Sequence, residues 1–177
     1  FDTALQRLVC EALTKHQRII FNGNGYGEEW RKEAAIRGLS NLPSTAECMP
    51  SYVSEKNIAL VTKHGIFTEA EFRARYAIHL EAYVKLVNIE ARTCVDMVTQ
   101  QILPAANRYA ADLARSIAAK QAIGVGCQSE RGLVSRISAA ADSLYEICEK
   151  LRNDLKQAPD GIEEDANYCR KVIIANM

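Results

Sequence analysis

The 177-residue chain lacks most of the features that announce a function. No apolar run approaches the ~20 residues of a membrane span, and no export signal is visible. On those grounds the sequence reads as a cytoplasmic protein without a membrane partner. Lys and Arg number 22, as do Asp and Glu, so the formal net charge is zero. With no block of like charge, there is no electrostatic footprint for nucleic acid or anionic lipid. Histidine is scarce: His16, His64 and His79 lie far apart, and none sits in H-x-x-x-H spacing. No C-x-x-C pair occurs, which leaves no metal-ligand pattern. The nucleophile elbow G-x-S-x-G, the phosphate loop G-x-x-x-x-G-K-[ST] and the dinucleotide fingerprint G-x-G-x-x-G are all missing.

What is present is ordinary globular material, 48% hydrophobic and 25% charged, which argues against disorder. A chain of this size buries roughly 70% of its unfolded surface. Six cysteines stand at positions 10, 48, 94, 127, 148 and 169. An even count allows three disulfides. However, Cys94 and Cys148 fall on apolar helical stripes, where free cysteine acts as a small hydrophobe, so reduced thiols are expected. The chain starts at Phe1 and stops in an apolar tail, Val172–Met177, so both ends read as cuts through a longer protein.

Apolar residues recur at helical spacing almost throughout, and no period-two alternation occurs. Leu5, Leu8, Val9, Ala12, His16 and Ile19 recur at helical spacing, so residues 3–18 read as an amphipathic helix. A second helix is expected from Glu28 to about Arg37, with Gly38 as its stop. Ser44-x-x-Glu47 reads as a capping box on a helix that Pro50 cuts short. Ser51–Lys63 reads as the next helix, closed by Gly65. Thr68-x-x-Glu71 then opens the strongest one. Phe72, Tyr76, Leu80, Tyr83, Val87, Ala91, Cys94, Val98 and Ile102 form its stripe, and Leu86, Ile89 and Met97 are expected to broaden it. Pro104 predicts a kink or restart. The pattern resumes through Leu103, Ala106, Ala110, Leu113 and Ile117, then ends at Gly124-Val-Gly126. From Gln128 a regular seam runs through Val134, Ile137, Ala141, Leu144, Cys148, Leu151 and Leu155. Asp160-x-x-Glu163 caps a last helix. The expected fold is all-α, a bundle of long antiparallel helices preceded by shorter helices and a glycine-rich loop. Residues 1–66 form the short-helix region and 67–177 the bundle, together one structural unit.

The densest local signal is the stretch from Arg18 to Trp30, which holds the candidate loop Asn22, Gly23, Asn24, Gly25, Tyr26 and Gly27. Asn-Gly dipeptides mark turns because both residues tolerate φ > 0, so positive φ is expected at these glycines. A glycine loop before a helix can hold phosphate. Here the glycines fall at every second residue, and Glu28 and Glu29 occupy the first helical turn, where they would repel it. A structural turn is the better reading.

Candidates for chemistry have plain structural explanations. His16 and His79 read as core or boundary side chains, and His64 complements a helix end. Glu90 is the carboxylate to watch on the long helix. Carboxylates there can build a metal centre when paired with E-x-x-H, but no E-x-x-H occurs. An ion pair of Glu90 with Arg92, Arg108 or Arg115 is expected instead. The residues show no catalytic, cofactor or metal site.

Arg18–Trp30, followed by Lys32-Glu-Ala-Ala35 and Arg37-Gly-Leu39, resembles the segment just downstream of the catalytic core in type III glutamine synthetases. Ser54–Leu60, Asn88-Ile-Glu-Ala91, and Gln101–Ala105 with Tyr109 resemble the same family in the same order. The likeness covers most of the first 110 residues. Beyond them only helical character and Tyr168–Val172 match. The resemblance implies a carboxy-terminal helical part of an enzyme that joins ammonia to glutamate using ATP and Mg. It implies an upstream catalytic domain in the same polypeptide as partner, and a homo-oligomer. No family motif for metal, ammonia or phosphate binding has a counterpart here, so no catalytic residue carries over and the part is expected to be inactive alone. Asn22–Gly27 is then expected to face the catalytic domain. A free-standing helical interaction module is the alternative, and a small metal-dependent bundle enzyme using Glu90 is a third reading.

Overall fold

The structure, a computed structural model, describes residues 2–177 and is all-α, with no strand among those residues. The chain divides into two compact units, one ending at Pro43 and one spanning Ser44–Met177. The sequence pattern groups residues 1–66 apart from 67–177. The structure instead puts the short helices after Pro43 with the long ones, because Ala46 and Met49 lie in the same core as Leu80 and Val84.

The first unit holds α1 (Asp2–Lys15), a 3-10 turn at Gln17–Ile19, and α2 (Glu28–Ile36). Gly38, at φ 68°, closes α2: its N–H bonds to Ala35 O and that of Leu39 to Ala34 O. That is the left-handed stop expected of glycine after a helix.

In the second unit, α3 (Thr45–Tyr52) starts on Ser44, whose side chain accepts the Glu47 N–H at 3.3 Å. The reciprocal half of the expected box is replaced by a hydroxyl–carboxylate bond between Ser44 and Glu47 at 3.2 Å. Pro50 does not end α3, which continues to Tyr52. The next helix, α4 (Glu55–Lys63), begins four residues later than the pattern suggests, with Ser54 as its cap and Gly65 (φ 63°) beyond its end.

At Thr68 both halves of the capping box form: its hydroxyl accepts the Glu71 N–H, and its own N–H reaches Glu71 Oε2 at 2.8 Å. From there α5 (Glu69–Met97), a π-helical turn (Val98–Ile102) and α6 (Leu103–Ala122) make one unbroken helical path. Its contour is about 80 Å at 1.5 Å per residue. Pro104 neither breaks it nor starts a separate helix. A missing N–H and a bulky ring are costly in a regular α-helix. Here the Leu103 N–H has already switched to Val98 O, five residues back, so the turn is wider where the ring must fit. The wide turn also moves the apolar stripe forward by one residue. Val98 faces in and Leu103 is half-buried, while Ile102, expected on the stripe, is 47% exposed.

After Gly124 (φ 73°), α7 (Gln128–Asp154) runs back antiparallel along α6 and then reaches α5. Every member of its expected seam is buried or half-buried, from Val134 to Leu155. α8 (Ile162–Tyr168), a second π turn (Cys169–Ile173) and α9 (Ile174–Asn176) then fold onto α5 and the end of α7. The core lies where these pieces meet α3, with Leu80, Ala91, Leu151, Ala166, Cys169 and Ile173 at its centre. Burial pushes the Cys169 thiol up to about 12, with the neighbouring Asp165 adding to it. Polar ties close this end. Arg170 meets Glu47 at 2.7 Å, Tyr168 donates to Asp154 O at 3.0 Å, and Asn176 donates to Asp154 Oδ2 at 2.8 Å.

Candidate functional site

In the first unit the chain from Arg18 to Gly38 builds a small polar and aromatic clamp. Phe21 packs on Trp30, ring centroids 4.8 Å apart. The Arg37 guanidinium lies 6.0 Å from the Trp30 ring, donates to Glu33 at 2.7 Å, and donates to the backbone oxygens of Arg18 and Ile20 at 3.3 and 2.5 Å. Arg37 therefore fastens the end of α2 to the 3-10 turn before the loop. Nothing in the sequence pattern singles out Arg37 for this role, because its partners are carbonyls 17 and 19 residues away.

Between Phe21 and Trp30 hang Asn22, Gly23, Asn24, Gly25, Tyr26 and Gly27. They do form a turn, but not the expected one. Among the described residues positive φ occurs only at Gly38, Gly65 and Gly124, so none of the three loop glycines is left-handed. Asn24 makes the turn instead. Its side-chain oxygen accepts the Tyr26 N–H at 3.0 Å and its carbonyl accepts the Gly27 N–H at 3.0 Å, the local bonding at which asparagine excels. Gly23 has a steric role. A Cβ there would sit 2.6 Å from Phe21 Cζ and push that ring off Trp30. Gly25 faces open space, and Gly27 caps α2 in an extended conformation.

This unit is poorly filled. Ala34 is the only buried apolar residue among its described residues, while Tyr26 is 97% exposed, Ile36 81% and Leu8 63%. α1 buries nothing, although Leu5, Leu8, Val9 and Leu13 line one side of it.

No constellation of catalytic groups forms elsewhere among the described residues. Glu90 is exposed, and the ion pair expected for it is not made; Arg115 pairs with Asp112 instead. His16, His64 and His79 are exposed, and His79 lies edge-on to Tyr52 at 6.1 Å. No three His, Cys, Asp or Glu side chains gather as a metal site. All six cysteines are free thiols. No helix among the described residues is long and apolar enough to cross a membrane.

Comparison with known proteins decides the family. Residues 4–121 match the model of the glutamine synthetase C-terminal domain. This chain belongs to that family. The match covers the clamp, the loop and the path from α3 through α6. Relatives extend the likeness over α7–α9. A glutamine synthetase of Butyrivibrio fibrisolvens is 36% identical over 177 residues, which is 98% of this chain and 25% of that protein. A type-3 glutamine synthetase of Dictyostelium discoideum is 32% identical over 187 residues, covering 99% and 25%. A glutamine synthetase of Bacteroides fragilis (strain YCH46) is 36% identical over 108 residues, 61% of this chain and 15% of that protein. The chain thus spans about a quarter of the length of the first two relatives and less of the third.

Proposed function

We propose that this domain serves a glutamine synthetase as its carboxy-terminal docking and assembly part. Ligation of ammonia to glutamate, with ATP and Mg, takes place on a catalytic domain upstream in the same cytoplasmic polypeptide. The residues present do not fit either group. Glu28 and Glu29 face any phosphate at the start of α2, and no three His, Cys, Asp or Glu side chains gather among the described residues. In this reading the domain contributes surface and the chemistry lies upstream.

One observation carries this reading. Among its described residues the first unit buries a single apolar side chain, Ala34, while exposing Leu8, Tyr26 and Ile36. An apolar surface of that kind on a segment with almost no core marks an interaction site. In this reading Asn22–Gly27 and the apolar side of α1 lie against the catalytic domain. The stiff clamp of Phe21, Trp30 and Arg37 holds the loop in its docking shape. The loop itself binds no nucleotide.

The test is made on the intact enzyme. Tyr26→Asp combined with Leu8→Asp should lower its melting temperature and loosen its homo-oligomer, while the 177-residue chain alone forms no glutamine from ATP, glutamate and ammonia. Saturable ATP binding by the isolated chain, lost on changing Gly25, would overturn the proposal. So would an intact oligomer that melts unchanged with both substitutions in place.

A further inference from the structure

Asn22 and Asn24 are the only asparagines of this chain that are followed by glycine. That dipeptide has a chemistry of its own. Glycine carries no Cβ to shield its backbone nitrogen, and the nitrogen can attack the side-chain carbonyl of the asparagine before it. Both pairs are exposed, yet the structure treats them differently.

The surroundings of Asn24 favour the attack. Its Oδ1 accepts the Tyr26 N–H at 3.0 Å. This is the oxygen on which negative charge develops, and a fixed N–H at such a distance stabilises that charge. The same bond folds the side chain forward over the peptide that leads to Gly25. Gly25 stands in open space, with no atom beyond its chain neighbours within 4 Å of where a Cβ would be. Among the described residues, neither the Gly25 N–H nor Asn24 Nδ2 has a hydrogen-bond partner. The nitrogen is free to lose its proton and the amide is free to leave. Asn22 lacks these features. No N–H among the described residues donates to its side chain. Phe21 lies over Gly23, 2.6 Å from the place of a Cβ. That ring is held on Trp30, and Arg37 grips the Ile20 carbonyl beside it. The Asn22–Gly23 peptide is therefore kept from swinging into attack.

We propose that Asn24–Gly25 is a site of spontaneous covalent modification, converting over time to aspartate and isoaspartate. The Gly25 nitrogen gives its proton to water and forms a bond to Asn24 Cγ. The Cγ–Nδ2 bond breaks, the amide takes up a proton and leaves as ammonia, and a succinimide ring remains. Water then opens the ring. Attack at Cγ restores the main chain, with aspartate at position 24. Attack at the backbone carbonyl carbon of position 24 reroutes the chain through Cβ and Cγ, as isoaspartate. One water is consumed and one ammonia released, with no change of oxidation state. A new carboxylate then stands close before Glu28 and Glu29, and the isoaspartate form lengthens the backbone of the loop by one carbon. In the docking role proposed above, the loop contact would weaken as the protein ages. That consequence rests on the docking reading; the chemistry does not.

Peptide mapping by mass spectrometry tests it, on the intact enzyme sampled over days in mildly alkaline buffer. The peptide holding Asn22–Gly27 should gain the mass difference between NH2 and OH. Fragmentation should place the change at position 24 severalfold more often than at 22, and enzymatic methylation of isoaspartate should label the same peptide. In urea, with turn and clamp gone, the two positions should convert at similar rates. Gly25→Ala should slow position 24 severalfold and leave position 22 as it was. Alanine fits there, because Gly25 is not left-handed and faces open space. No conversion at position 24 overturns the proposal. So does equal conversion at both positions in the folded enzyme, or the same bias in urea. Conversion at position 24 with an unchanged melting temperature of the aged enzyme supports the chemistry and counts against docking through the loop.

Discussion

The two ends of the second unit are built from the same kind of sequence and reach different degrees of order. At one end α5 meets α3, α8, the second π turn and the last turns of α7, and Leu80, Leu151 and Ile173 are all but sealed from solvent. At the other end α6 packs chiefly against α7. The α6 stripe of Leu103, Ala106, Ala110, Leu113 and Ile117 is as regular as that of α5, yet no residue of α6 is fully buried. Periodicity says which face a helix turns inward. It does not say how many neighbours cover that face. Two helices shield a seam from two sides only, and a third is needed to close it.

The largest expected effect tests that contrast directly. Leu151→Ala removes a side chain 1% exposed and should cost about 4 kcal/mol in urea unfolding, within the range for a cavity in a packed core. Leu113→Ala removes a half-buried side chain of the arm and should cost about 1 kcal/mol, because solvent can fill the space. Equal losses would erase the distinction between the ends.

A smaller effect belongs to the core end alone. Tyr76 donates to Glu163 at 2.5 Å, joining α5 to α8. Burial first, then this bond to a carboxylate, raises its pKa from 10.0 to about 12. The folded state holds the proton more tightly than the unfolded one. The stabilisation is therefore complete below pH 10 and lost as pH rises from 10 toward 12. Tyr76→Phe should lower stability by about 1 kcal/mol near neutrality and flatten this alkaline loss, as urea midpoints across that range would show.

The smallest effect belongs to the arm. Near its tip Lys120 on α6 bonds to Glu130 on α7. That bond leads the causes that hold the Glu130 carboxyl down to about 2, from an ordinary value of 4.5. Its contribution is complete above pH 4.5 and fades as pH falls toward 2. Amide exchange corrected for pH should speed up in the arm before it does around Leu151, and Glu130→Gln should remove that acid sensitivity. Simultaneous loosening of both ends would make them one cooperative body.

Much of this was legible from residues alone. The Thr68 box, the α7 seam and the glycine stops at 38, 65 and 124 are local rules, set by neighbours within a turn or two, and they hold in the structure. Val84 and Val95 were missed for a different reason. The α5 stripe was broadened toward Leu86, Ile89 and Met97, which are just as apolar, and spacing cannot tell a face packed inside its own chain from one left open. The Asn-Gly dipeptides mark Asn22–Gly27 as a turn but not its cause, since asparagine bonding and a ring over Gly23 depend on contacts that composition does not show. Arg37 escaped notice because its carbonyl partners are remote in sequence.

The wide turn at Val98–Ile102 has a consequence of another kind. It holds one residue more than an α-helical turn would, so deleting Gln101 would not merely remove a side chain. The path would tighten to regular α-helix, and α6 would rotate by about 100° about the helix axis relative to α5. The direction in which the arm presents itself is thus written in the number of residues, not in their chemistry. A single codon lost there would turn the arm against the contacts that the end of α7, α8 and Ile173 make with α5 in the core.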